Sequence, residues 1–170
     1  MQALIITAEH FEDSELTVPK EALEKAGVQV KVATPEKGHQ FHGKHGTSLI
    51  ADLTLREVDP DDYDLLLIPG GKAPETLRRD EHALKIAKAF FKADKPVAAI
   101  CHGPQVLVSA RLLEGRRATC YPAVAGELKD AGALYEDSPV VVDGKLVTSR
   151  NPGDLPVFVR AILAQLGLPG

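Results

Sequence analysis

The chain has 170 residues, 44% apolar and 26% charged, with 24 Asp and Glu against 20 Lys and Arg and a formal net charge of −4. That is about one domain, on a prior of roughly 100–200 residues each, and enough chain to bury a core without disulfide or metal staples. The mild acidity, with no basic block, removes any electrostatic case for nucleic acid or an anionic membrane as partner.

Two cysteines, Cys101 and Cys120, form neither a CxxC pair nor a Cys/His ligand spacing, so neither a disulfide framework nor a zinc finger is expected. Met1-Gln2 runs straight into a strand-like stretch without the basic segment of a signal peptide. The longest apolar runs, such as Leu65 to Ile68 and Val97 to Cys101, fall far short of the roughly 20 residues of a spanning helix. These features predict a cytoplasmic protein with free thiols.

In chain order, Ala3 to Ala8 reads as a strand buried on both faces. Leu16, Val18, Leu23 and Ala26 recur at helical spacing, and Gly27 stands where a helix ends. Val28 to Ala33 alternates as a second strand and completes a βαβ unit. Glu36 to Leu55, rich in Gly and His, reads as a loop with a small hairpin. After a turn at Asp59 to Asp62, Leu65 to Ile68 is a central strand stopped by Pro69-Gly70-Gly71. Ala83, Leu84, Ile86, Ala87, Phe90 and Phe91 make a helical stripe, and Val97 to Ile100 is the next strand. Cys101-His102-Gly103-Pro104 then opens a helix carrying Val106 and Leu107. Val140 to Val147 folds as a hairpin around Asp143-Gly144, and Leu155 to Leu166 closes the chain as an amphipathic helix. Strands alternating with helices, without repeat or linker, predict one α/β domain over residues 1–170 with a mostly parallel sheet.

The sharpest chemical signal is the turn at Cys101. A strand that stops at a cysteine, followed by Gly and Pro and a helix, is a nucleophile elbow, and its place at a helix N-terminus favours the thiolate. A lone cysteine is more often a buried structural residue; here the Cys-His-Gly-Pro context turns the reading to function. Pro69-Gly70-Gly71, at another strand end, can bring backbone N–H groups close to a ligand oxygen. Both turns would meet at the crevice where open α/β sheets bind ligands. The acidic run Glu9 to Glu15 follows the first strand and offers one carboxylate as a neighbour for Cys101. His39, His42 and His45, spaced by three in a Gly-rich loop, have no helix to set them on one face, so they read as solvated rather than metal-binding.

Taken together, Ala99 to Gln105, Pro69-Gly70-Gly71 with Ala73-Pro74-Glu75, Phe11-Glu12-Asp13 with Glu15, Gly43-Lys44-His45-Gly46 and Thr148 to Pro156 resemble the PfpI intracellular-protease family. That family belongs to the class I glutamine-amidotransferase-like superfamily, together with the parkinsonism-associated deglycase. The resemblance implies a flavodoxin-like three-layer α/β/α sandwich. It makes Cys101 the nucleophile and His102 its partner, and makes Glu12 the carboxyl that hydrogen-bonds the thiol. Gly70, Gly71 and His102 become the oxyanion and substrate-binding groups. Glu75 corresponds to an acid contributed by a neighbouring subunit, which implies a homo-oligomer, a dimer or a hexamer. Because His102 directly follows the cysteine, glutaminase activity is not implied. The expected substrates are a small aldehyde, a glycated protein or a peptide. No cofactor and no metal is expected, since the chain has no dinucleotide fingerprint. The alternative is a non-catalytic stress protein, a redox sensor or holdase, since an exposed thiol beside a protonated carboxyl also suits controlled oxidation.

Overall fold

A computed structural model describes residues 1–38 and 40–170; His39 lies outside the described residues. The near-continuous apolar runs become the centre of the sheet. Strands β1 (Gln2–Ile6), β2 (Gln29–Thr34), β6 (Leu65–Ile68) and β7 (Val97–Ile100) pair in parallel, and Leu65 to Ile68 and Val97 to Ile100 are buried throughout. The order of the seven-stranded sheet is β10-β11-β7-β6-β1-β2-β5, where β5 is Leu53–Thr54, β10 Val140–Asp143 and β11 Leu146–Ser149. Only β10 runs antiparallel, at the edge, as the Asp143-Gly144 hairpin requires. In β10 Val141 is buried while Val142 is exposed, as an edge strand with one face toward water requires.

Helices α1 (Asp13–Lys25) and α6 (Leu155–Gln165) pack together on one side of the sheet. On the other lie α2 (Ala73–Leu77), α3 (Glu81–Lys92), α4 (Pro104–Ser109) and α5 (Ala125–Asp130). Asp80 caps α3 by accepting from the His82 and Ala83 amides at 2.8 and 3.2 Å, a cap worth typically ~1 kcal/mol. Phe11, Phe90 and Phe158 are fully buried between these layers and the sheet, each contributing roughly 1.5–3 kcal/mol of burial. This is the three-layer sandwich the sequence predicts. Among the described residues no helix is long and apolar enough to cross a membrane.

The predicted small hairpin is real: β3 (Gln40–His42) pairs antiparallel with β4 (Ser48–Ile50) as a separate ribbon. What the sequence pattern does not reveal is short. α2 has five residues, α5 six, and β8 (Arg117–Ala118) and β9 (Leu134–Tyr135) two each. None spans enough positions to establish a period.

The sheet order sets the site. The chain leaves β1 toward β2 on one side and later returns to β6 on the other, so the strand order reverses between β1 and β6. The loops after β1, β6 and β7 therefore diverge at the carboxyl edge and leave a crevice.

Candidate active site

Cys101 is the residue immediately after β7, and its backbone is left-handed, with φ 62°. A non-glycine residue in that region costs about 1–3 kcal/mol and persists only where its surroundings fix it. Here its amide donates to Ser149 O at 3.0 Å and its carbonyl accepts from the Tyr121 amide at 2.9 Å. Gly103 follows because any Cβ there would run into the Ile68 carbonyl. The elbow thus lifts a 7% exposed thiol to the floor of a cavity of about 690 Å³.

The carboxyl that meets this thiol is Glu15, not Glu12. Glu15 hydrogen-bonds Cys101, and its Oε1 accepts from the Gly70 amide at 2.8 Å. The Gly70 amide is therefore committed to Glu15 and does not serve as an oxyanion donor. Gly70 is instead the space that lets acid and thiol meet: a Cβ there would lie 2.5 Å from Glu15 Oε1 and 2.7 Å from Cys101 Cβ. The amides of Gly71 and His102 both hydrogen-bond the Cys101 sulfur, so these two donors do converge on the nucleophile.

Burial, reinforced by the negative charge of Glu12, pushes the Glu15 carboxyl up to about 8, so it holds its proton at neutral pH. Its Oε2 is buried with no hydrogen-bond partner, which a neutral carboxyl tolerates far better than a carboxylate does. The thiol is not lowered as its place before a helix suggests. Burial first, then the Glu15 charge, push it up to about 12 against the pull of the two amides, and α4 is under two turns long. Thiol and carboxyl form one coupled unit: ionising either makes ionising the other harder.

His102 Nδ1 lies 3.3 Å from Cys101 Sγ. Its ring stacks on Tyr121, with centroids 4.9 Å apart and planes at 24°. Burial, aided by the charge of Lys44, lowers its pKa, so the imidazole is neutral and able to accept a proton. Gln105, on the first turn of α4, faces the cavity and is held by Glu127 at 2.9 Å; Glu127 is in turn paired with Arg78.

Glu12 and Glu75 both line the cavity without touching the sulfur. Glu12 Oε2 faces His45 Nε2 at 3.1 Å, and Glu75, exposed on α2, is paired with Arg79 at 2.5 Å. His42 lies 3.4 Å from Glu9 across its Nδ1. Glu12, Asp13 and His45 bring ligand atoms within 4.8 Å of one another. Both Asp13 oxygens, however, already accept from the His45 and Thr47 amides at 2.9 and 2.8 Å. The group is a loop anchor, and Gly43 is tucked against it where a side chain would strike the Asp13 carboxylate.

Glu15 is the main residue that the sequence reading passes over, and a signal for it existed. Glu15, Pro19 and Leu23 are spaced by four, on the buried face of α1. A fully buried carboxylate on an apolar stripe is the informative exception to the rule that charges stay outside.

Comparison with known proteins agrees with this architecture. A deglycase named PfpI from Pyrococcus furiosus is 46% identical over 166 residues, covering 98% of this chain and 99% of that one. General stress protein 18 of Bacillus subtilis is 44% identical over 164 residues, 95% of each chain. A solved two-domain protein from Anabaena variabilis, with DJ-1/ThiJ/PfpI-like and ferritin-like domains, superposes with a TM-score of 0.98 at 40% identity. It is matched over 99% of this chain, which spans about half, 49%, of the two-domain protein. With the DJ-1/PfpI family model matching residues 1–165, from the first strand to the end of α6, the chain belongs to the DJ-1/PfpI family.

Proposed function

We propose that the chain is a cysteine-dependent enzyme acting on reactive carbonyls, 2-oxoaldehydes and the adducts they form with proteins. The observation that carries this reading is the Glu15–Cys101 pair, a proton-holding carboxyl hydrogen-bonded to a thiol at the floor of an accessible cavity. Deglycase is also the name given to the P. furiosus relative.

With methylglyoxal, the Cys101 sulfur adds to the aldehyde carbon, and the thiol's proton ends on the carbonyl oxygen through Glu15, giving a hemithioacetal. Glu15, its own proton passed to neutral His102, then takes the hydrogen from that carbon as a proton and returns it to the neighbouring carbon, while the hydroxyl proton passes to the neighbouring oxygen. The first carbon becomes a thioester carbonyl and His102 hands its proton back to Glu15. The Gly71 and His102 amides are placed to stabilise the oxygen anion. Water, its proton accepted by neutral His102, cleaves the thioester to a 2-hydroxy acid and restores the thiol. The sum is one aldehyde plus one water giving one hydroxy acid. A peptide carbonyl would follow the first and last steps only, with an amine leaving. In that reaction the exposed Glu75, acting from a second subunit, would orient His102.

Parallel turnover of methylglyoxal and a fluorogenic peptide by wild type and Cys101→Ala tests this reading. We expect wild type to convert methylglyoxal and Cys101→Ala to lose at least 10³-fold. Peptide turnover alone, abolished by the same substitution, would replace the reading by a peptidase. Methylglyoxal turnover untouched by Cys101→Ala would overturn it.

A further inference from the structure

The hairpin β3–β4 is built to hold one side chain at the cavity of the thiol. The Lys44 amide donates to Phe11 O at 2.9 Å, Gly43 N donates to Thr47 O at 2.8 Å, and His10 N donates to His42 O at 2.8 Å. Asp13 takes the amides of His45 and Thr47, so the residues after Lys44 are pinned to the start of α1, while His42 and the Lys44 backbone are tied to His10 and Phe11 in the loop after β1. Lys44 itself is exposed to the cavity and has no ion pair among the described residues. The three carboxylates around the same cavity do have partners: Glu9 with His42, Glu12 with His45, Glu75 with Arg79. Among the described residues Lys44 is also the cation whose charge bears on Cys101, Glu15 and His102 alike.

Resting on the reading above, we infer that the preferred substrate carries a carboxylate near its reacting carbonyl, and that Lys44 is the residue that recognises it. A lysine is a compact point charge, and one such charge, flanked by acidic side chains, matches a monoanion better than a doubly charged phosphate. Unpaired in the free protein, it has no partner to lose on binding.

The test uses two reagents of similar size, iodoacetate and iodoacetamide, with mass spectrometry separating Cys101 from Cys120. Wild type should favour iodoacetate relative to a small free thiol. Lys44→Gln should lower the iodoacetate-to-iodoacetamide rate ratio roughly tenfold, and added salt should lower it in wild type only. Lys88→Gln, the same charge change on the exposed side of α3, should leave the ratio alone. A second arm compares kcat/KM for 4-carboxyphenylglyoxal and phenylglyoxal, whose ratio should fall with Lys44→Gln in the same way. Equal ratios in wild type and Lys44→Gln overturn the inference, as does a Cys101 inert to both reagents. Charge-selective alkylation without turnover of either glyoxal would sink the enzymatic reading while leaving Lys44 as the anion-recognising group.

Discussion

Glu15→Gln is expected to separate two properties that the wild-type carboxyl combines. Glutamine keeps the shape and can accept from the Gly70 amide, but it cannot shuttle a proton, so turnover of methylglyoxal should fall ~10²–10⁴-fold. The thiol should respond in the opposite sense. The Glu15 charge is one of the causes that push Cys101 up; without it, the pH midpoint of iodoacetamide alkylation should move down. Stability should also change, and only in one pH window. Glu15 goes from an ordinary value of 4.5 in the unfolded chain to about 8 in the fold. The folded state therefore holds this proton more tightly. The associated stability is complete below pH 4.5 and is lost as pH rises toward 8, at up to ~1.4 kcal/mol per pH unit. Cys101, pushed up from 9.0 to about 12, acts in the same direction but only above that window. Urea titrations between pH 5 and 8 should thus show wild type losing stability relative to Glu15→Gln by several kcal/mol. Parallel pH profiles for the two proteins would show that Glu15 does not hold its proton in the fold.

Gly71→Ala should be the most damaging single methyl group in the chain's site. Gly71 has φ +86°, and a Cβ there would sit 2.5 Å from Glu12 N, 2.5 Å from His10 O and 2.7 Å from the Phe11 carbonyl carbon. All three are backbone atoms of the loop after β1, held to the Gly70–Lys72 turn by Glu12 N to Gly70 O at 3.1 Å and Lys72 N to His10 O at 2.8 Å. No rotamer change can relieve this. Left-handed strain of roughly 1–2 kcal/mol adds to an overpacking cost of about 1–3 kcal/mol, and Tm should drop by roughly 5–15 °C. Gly144→Ala separates the two causes, since Gly144 has φ +60° with nothing within 4 Å of its Cβ. It should lose only the strain, with activity retained. Equal losses for the two variants would mean that the loops after β1 and β6 are not locked together at Gly71.

The central strands and the longer helices were legible because their signals are long. Leu65 to Ile68 and Val97 to Ile100 can only be buried strands, and the stripe from Ala83 to Phe91 can only be a helix packed on them. The elbow was legible because strand, Cys, Gly and Pro follow one another without a gap. The acid partner was not, because it depends on a rotation: Glu12 is the N-terminal cap of α1, while Glu15, one turn on, is fully buried and reaches the Gly70 amide and Cys101. Family resemblance alone picked the wrong carboxylate out of the run Glu9 to Glu15. The role of Gly70 was hidden for the same reason, since its amide looks like an oxyanion donor until Glu15 is seen to occupy it. The raised Cys101 pKa was equally out of reach, because the burial that causes it is a property of three converging loops. Lys44 sits in a hairpin whose contacts with the loop after β1 and the start of α1 join residues more than 30 positions apart, so no local pattern could place it at the cavity of the thiol.

The central claim is that Cys101 forms a covalent bond with a carbonyl and that Glu15 moves the proton that completes the reaction. It is tested most directly by carbon NMR with methylglyoxal labelled at the aldehyde carbon, added to Glu15→Gln, in which the first adduct should accumulate. The account predicts one protein-bound tetrahedral carbon, coupled to a single hydrogen, that persists for minutes and is missing from Glu15→Gln carrying Cys101→Ala. Wild type should instead pass label into a hydroxy-acid carboxylate. Release of labelled hydroxy acid by Glu15→Gln at the wild-type rate, or a bound carbon that survives loss of Cys101, would contradict it.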